Sequence, residues 1–333
     1  MDEQVNPRAR AWFESYQATR DWITYKDLAF RTLNNYHEGM EKYCAFRSKD
    51  PDELRAEVIA LQGSATVSNT VAKHIVDFQR HLLETGNSNG TPYAAGTILN
   101  YKTAAQSFYS HILGHKISVT PMVSRTERSR DKHIPTREEF RRMLDASDAM
   151  GRLYMLFQAL TGVRIGDMLR MTIADVQGAL QEETEYLLIP YSPQKRGKTI
   201  GKRHTVLPPP GVDALRAFLQ YRQQKGEAFT SATPLFPSSK NPGKSISSSQ
   251  INNIIREAER KAGILSPLDR ERNVKLTSHE LRAYFSNCME NAGMVKSHID
   301  YMIGHKTDDY HKAYLQITPD TIIGDYKQFL WAV

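Results

Sequence analysis

Cysteine is scarce in this chain: Cys44 and Cys288 are the only two in 333 residues. They are too few for a disulfide framework and too far apart for a thiolate zinc site. Long apolar runs are also missing. No segment approaches the roughly 20 unbroken apolar residues that span a bilayer, and Met1-Asp2-Glu3-Gln4-Val5-Asn6-Pro7-Arg8 lacks the apolar core of a signal peptide. The expectation is a soluble, intracellular chain with reduced cysteines and no membrane association. There is no P-loop and no His-Glu-x-x-His. Neither nucleotide hydrolysis nor a metal-centred site is therefore read, and no cofactor is expected.

What the chain does have is a modest excess of positive charge, 44 Lys and Arg against 37 Asp and Glu, for a formal +7. That balance suits a polyanionic partner or an acidic surface. With 40% hydrophobic residues, a chain of this length builds two cores more readily than one. Residues 1–115 read as a helical domain. Leu33, Tyr36, Met40 and Tyr43 recur at helical spacing, as do Val71, Ile75, Phe78 and Leu82, and then Ile98, Tyr101, Ala105, Phe108 and Ile112. Residues 116–134 break this rhythm, with Arg125, Arg128, Arg130 and Lys132 almost free of apolar anchors, and read as a basic linker. In residues 135–333, Thr136-Arg137-Glu138-Glu139 is a capping box that starts a helix. A further helix over 153–160 stops at Thr161-Gly162. Strands at 185–191 and 203–207 flank the basic loop 194–202, and helices follow at 212–221 and 250–262. The expected fold class is mainly α with a small antiparallel β-sheet.

Several fragments have residue types suited to chemistry. Arg164 stands among Val163, Ile165, Met168 and Leu169, where an unpaired charge would be costly. Asp167, three residues on, is expected to steady it by hydrogen bonding. His279 and Arg282 follow the capping box Thr277-Ser278-His279-Glu280. Their spacing puts imidazole and guanidinium on one face of a helix's first turn, beside free amides that suit a phosphate. Gly304 reads as the residue closing a helix over 297–303, so that His305 is presented from a turn. Tyr310 and Tyr314 lie one turn apart in a short helix, and helix geometry leaves both open as nucleophiles. Lys195, Lys198, Lys202 and Arg203 cluster around the hairpin loop, where a lysine can hold a phosphate or donate a proton. Taken singly, each fragment also fits a structural role: a capped surface helix, an Arg–Asp pair, a packing tyrosine.

Together, and in this order, Thr161-Gly162-Val163-Arg164-Ile165-Gly166-Asp167-Met168-Leu169, Gln194-Lys195-Arg196-Gly197-Lys198, His279-Glu280-Leu281-Arg282 and Ile303-Gly304-His305 resemble the active-site segments of the tyrosine recombinase (phage integrase) superfamily. The nine-residue step from His305 to Tyr314 matches that pattern and the step to Tyr310 does not. Ile303 and Arg196 depart from it, where leucine and threonine are usual. The resemblance covers nearly the whole chain. It implies a helical core-binding domain joined to a catalytic domain with a C-terminal docking helix. It implies Arg164, Lys195, His279, Arg282, His305 and Tyr314 as the catalytic set, with Lys198 as the other candidate lysine. The implied activity is metal- and ATP-independent cleavage and rejoining of double-stranded DNA through a 3′-phosphotyrosyl intermediate, by four protomers on two DNA sites of a mobile element or virus. The tail carrying Tyr326, Phe329, Leu330 and Trp331 is apolar enough to dock on its own core or on a neighbour, and in the family such tails often pack in trans. A type IB-like topoisomerase would use a similar set on one DNA without synapsis. A non-catalytic DNA-binding protein on the same fold is the reading from a different class.

Overall fold

The computed structural model describes residues 6–25, 30–61, 66–87, 89–124, 133–180, 184–195, 198–199, 201–266, 276–305 and 317–329. The chain divides into two compact units, residues 2–129 and 130–333.

The first unit is helical among its described residues: α1 (Pro7–Ser15), α2 (Gln17–Tyr25), α3 (Phe30–Arg47), α4 (Pro51–Ala60), α5 (Val67–Thr85) and α6 (Ala95–Ile112). The periodic residues of α3, α5 and α6 meet in one core that contains Met40, Tyr43, Ile75, Phe78, Ile98 and Phe108. Gly39 lets α3 and α6 approach closely, since a Cβ there would lie 2.9 Å from Ala104 Cβ and 3.0 Å from Tyr101 Cα. Trp22 of α2 stacks on Tyr36 at 5.3 Å and meets Phe108 edge-on at 5.4 Å. Truncating one such buried ring costs about 3–5 kcal/mol. α4 opens on a complete capping box, with Asp50 accepting from the Glu53 amide and Glu53 from the Asp50 amide. Ile117 and Val119 are buried in the same core, so the chain leaves this unit later than the expected boundary after residue 115.

The second unit comprises α7 (Arg137–Asp145), α8 (Ala149–Thr161), the single turns α9 (Ile165–Met168) and α10 (Ile173–Val176), β1 (Leu187–Tyr191), β2 (Gln194–Lys195), β3 (Lys198–Thr199), β4 (Arg203–Leu207), α11 (Pro209–Gln224), α12 (Ser248–Ala262), α13 (Ser278–Ala292), α14 (Lys296–Met302) and α15 (Pro319–Phe329). A 3₁₀ turn follows α10 at Gln177–Leu180. β1 and β4 pair antiparallel from Leu187 opposite Leu207 to Tyr191 opposite Arg203, and β2 and β3 extend this hairpin with Lys195 opposite Lys198. The fold is thus mainly α with a small antiparallel sheet.

α8 is apolar nearly all round, with Leu153, Tyr154, Met155, Phe157, Ala159 and Leu160 all buried, as befits a central helix. α7, α11, α12, α13 and β4 pack around it. The Thr136 capping box is formed with both of its hydrogen bonds.

The described part of the C-terminal helix docks on its own core, one of the two expected places for it. Ile322 and Tyr326 of α15 are fully buried in their own unit among Val206, Phe285, Met289 and Met302. The Tyr326 ring stacks on Phe285 at 6.4 Å. Leu330 and Trp331 lie outside the described residues. Cys44 and Cys288 are half-buried and free in separate units. Burial pushes both thiols up, Cys44 to about 12, so neither is a ready nucleophile.

Candidate active site

Two helix ends make the site. α8 stops at Gly162, whose φ of 60° lets its amide close back onto the Gln158 carbonyl. α14 stops at Gly304, with φ of 70°. Here the Gly304 amide donates to Tyr301 O at 3.1 Å and the His305 amide to Asp300 O at 2.8 Å, the two bonds of a Schellman motif. Helix C-termini carry unpaired carbonyls and the negative end of the dipole. Both attract cations, and two arginines occupy them.

Arg282, one turn into α13, is buried. Its Nη1 donates to Gly162 O at 2.7 Å and Ile303 O at 2.8 Å, joining the two helix ends. Its Nη2 is buried and has no hydrogen-bond partner among the described residues. Burial, and then the charge of Arg164, lower its pKa to about 10, which still leaves the group charged at neutral pH. An unsatisfied buried donor costs about 1–3 kcal/mol, and a donor kept free beside a second guanidinium suits an anionic oxygen. Arg164, the residue before α9, donates from Nη1 to Gly304 O at 2.7 Å and is otherwise partly exposed.

Asp167 does not hydrogen-bond Arg164 as expected. Its Oδ2 stands 4.0 Å from Arg164 Nη1, beyond hydrogen-bond reach. Its Oδ1 accepts from Arg170 and, at 3.2 Å, from the Gln194 amide. The carboxylate is drawn to the hairpin that carries Lys195, which sequence spacing does not reveal. It also lines a cleft of ≈ 390 Å³ with Arg170, Tyr191, Gln194, Lys202 and His204.

His305 is half-exposed at the turn, its Nδ1 2.9 Å from Asp300 Oδ1. Burial is the main reason that its pKa falls below the ordinary 6.5; the bond to Asp300 opposes this, and Arg282 and Arg164 reinforce it. Tyr191, the last residue of β1, donates its hydroxyl to Met302 O and fixes the turn from the sheet side. Arg203, opposite Tyr191, lays its guanidinium over the Tyr301 ring at 4.9 Å.

His279 lies in the first turn of α13, exposed, with its amide donating to Thr277 Oγ1 at 3.2 Å. Arg164, Arg282 and His305 are thus brought together, and His279 shares the helix of Arg282. Lys195 is placed in β2 by its backbone alone; its side chain, and all of Tyr310 and Tyr314, lie outside the described residues.

Behind the arginines runs a buried network that periodicity did not single out. Gln158 Nε2 donates to Val163 O at 2.7 Å, while its Oε1 accepts from the hydroxyls of Tyr154 and Ser278. One amide therefore ties α8, the turn before Arg164 and the start of α13. Its one sequence signal was a lone polar residue inside an apolar helix.

A family profile described as the phage integrase family matches residues 135–320. A search of curated proteins finds no match. Solved structures share the fold at low identity. A XerH site-specific recombinase bound to a palindromic difH substrate, a post-cleavage complex, aligns with TM-score 0.60 and 15% identity over 100% of this chain and 91% of that one. A lambda integrase dimer bound to a COC′ core site gives 0.54 and 16% over 94% and 81%. A lambda integrase tetramer bound to a Holliday junction gives 0.52 and 18% over 94% and 78%.

Proposed function

This chain belongs to the phage integrase family, the tyrosine recombinases that cleave and rejoin DNA, and from that premise we propose that it is a site-specific recombinase using Arg164, Lys195, His279, Arg282, His305 and Tyr314. The Tyr314 hydroxyl attacks a backbone phosphorus. The new bond is P–O to tyrosine and the broken bond is P–O5′, leaving a 3′-phosphotyrosyl strand. A phenol has an ordinary pKa near ~10 and needs its proton accepted or offset. His279 assists that transfer, and Lys195, or Lys198 beside it, protonates the departing 5′-oxygen. Arg164 and Arg282 hold the non-bridging oxygens as charge builds on the pentacoordinate phosphorus, and His305 adds a further contact. Donors of this kind contribute about 10²–10³-fold each. The guanidinium groups carry the charge that a metal ion would otherwise offset. The phosphotyrosyl bond retains the energy of the cut strand, so religation requires no nucleotide.

The observation that carries this reading is buried Arg282 beside Arg164, with an Nη2 that has no partner among the described residues. We take the helical unit to grip the duplex together with the catalytic unit, and the working assembly to be four protomers on two DNA sites, as the lambda integrase tetramer on a Holliday junction supports.

The test is a suicide duplex carrying the DNA that flanks the gene. Tyr314→Phe abolishes the covalent adduct and retains binding, and that binding weakens as salt rises. Loss of adduct in Tyr310→Phe with retention in Tyr314→Phe would overturn the choice of nucleophile. Relaxation of supercoils without exchange between sites would mark a type IB-like topoisomerase. Binding without any adduct would mark a DNA-binding protein.

A further inference from the structure

The Schellman motif that ends α14 does more than present His305. In this motif the side chains at C3 and C″ lie against each other, usually as a hydrophobic contact. Here those positions are Asp300 and His305, so the contact is a carboxylate on an imidazole, Oδ1 to Nδ1 at 2.9 Å. The backbone enforces this pairing, since the His305 amide also donates to Asp300 O at 2.8 Å. One residue is therefore bonded to its neighbour five positions on through both main chain and side chain.

A carboxylate only accepts, so the ring nitrogen facing it carries the proton. The neutral ring then has Nδ1–H bound to Asp300 and a lone pair on Nε2, which has no partner among the described residues. We propose that Asp300 is a positioning residue: it fixes the tautomer and rotation of His305 so that Nε2 is the edge available to the phosphate and to the attacking hydroxyl. In that state His305 accepts a proton, and it donates to a phosphate oxygen only after becoming imidazolium. This inference rests on the strand-cleavage reading above and makes it more specific, since His305 then contributes to base as well as oxyanion chemistry.

The charged groups around the ring act in opposed directions. Arg282, from α13, and Arg164, ahead of α9, lower its pKa, whereas Asp300, on α14, raises it. Lys296, one turn before Asp300 on α14, reaches Glu290 at 2.6 Å and also senses the Asp300 charge. Removing Asp300 therefore leaves His305 facing two guanidiniums without its carboxylate. Two effects follow: the ring loses its preferred tautomer, and its pKa falls further.

The decisive measurement needs no DNA. In protein labelled with ¹⁵N-histidine, the ring nitrogens of His305, assigned by their loss in His305→Gln, should show Nδ1 protonated and Nε2 bare above the ring's pKa. Asp300→Ala should move the proton toward Nε2 and lower that pKa; Asp300→Asn, which keeps an acceptor and the side-chain shape, should do so less. On the suicide duplex, Asp300→Ala should slow adduct formation by about 10²-fold, the scale of a misplaced group. It should also move the acidic limb of the pH–rate profile to lower pH, which a purely structural role would not do. A wild-type spectrum with the proton on Nε2, or one unchanged in tautomer and pKa by Asp300→Ala, overturns the proposal; the wild-type spectrum decides even if the variants fold poorly. A wild-type chain that forms no adduct on any duplex refutes the strand-cleavage reading instead, and the ring spectrum still decides the role of Asp300.

Discussion

Replacing Gly304 with alanine separates the geometry of the turn from the cost of a left-handed residue. An alanine at φ 70° costs about 1–2 kcal/mol for the conformation alone. Its Cβ would lie 2.7 Å from Pro193 Cβ, 2.9 Å from Pro193 Cγ and 3.0 Å from Tyr191 Oη. The proline ring is rigid and Tyr191 is held by its bond to Met302 O, so neither gives way cheaply, and overlap of this kind adds about 1–3 kcal/mol. The sum is about 3.5 kcal/mol. Gly263, at the end of α12, has φ 65° with no atom of the described residues within 4 Å of an added Cβ, so Gly263→Ala carries only the conformational part, about 1.5 kcal/mol. For a unit of this size, 1 kcal/mol moves Tm by about 2–4 °C. Calorimetry of the full chain should therefore show a drop of about 10 °C for Gly304→Ala against about 5 °C for Gly263→Ala. The two should differ more in activity. The Gly304 carbonyl anchors Arg164 and the next residue is His305, so a shift of about 1 Å should cost about 10²-fold in adduct formation. Gly263→Ala should stay near wild type. Equal Tm losses, or an undiminished adduct rate in Gly304→Ala, would refute the reasoning.

Arg282→Lys keeps the charge and at best one nitrogen to replace the Nη1 bridge between Gly162 O and Ile303 O, and it loses the second donor, Nη2. Adduct formation should fall by about 10²–10³-fold, with DNA affinity nearly retained, as single-turnover and binding measurements can separate; a fall of only a few-fold would count against the donor role. In the first unit, His37 is buried between the edges of Trp12 and Phe13, and burial holds its pKa below 6.5. The unfolded chain then takes up the proton first as pH falls, so stability contributed by the neutral ring is present above about pH 6.5 and is lost on acidification toward the folded pKa. The unfolding midpoint of that unit should drop between pH 7 and pH 5, and less so in His37→Phe.

How much of this could be read from the sequence depended on how far away each residue's partner lay. The faces of α3, α5 and α6, the Thr136 and Thr277 capping boxes and the β1–β4 hairpin are set by neighbours within a turn or across one hairpin, and each formed near its expected place. α9 and α10 are single turns, too short to show a period. Ile117 and Val119 lie in non-helical backbone and give no 3.6-residue signal, so the linker seemed to begin before them. Asp167 was found by spacing yet assigned to the wrong partner: Arg170, three residues on in the other sense of the same spacing, takes its Oδ1, and the Gln194 amide that shares this oxygen lies 27 residues away. Asp300 was readable in principle: once Gly304 is taken as C′, the motif places residue 300 beside residue 305. Its significance was hidden because that contact is ordinarily apolar.

The arginines show why the remainder was hidden. Gly162 O, Ile303 O and Gly304 O are backbone acceptors, and every helix end offers such groups whatever its sequence. Nothing in Thr161-Gly162-Val163-Arg164 announces that Arg164 reaches a carbonyl 140 residues away, or that Arg282 closes the gap between two helix ends. Yet these bonds make folding and site assembly one event. The contacts that satisfy the open ends of α8 and α14 also aim the guanidiniums, and the dipoles of those helices help keep both arginines charged side by side. Stability and the geometry of the site are therefore coupled at Arg282. Its Nη1 is committed to the fold, and its Nη2, with no partner among the described residues, is the group that the proposed reaction would use.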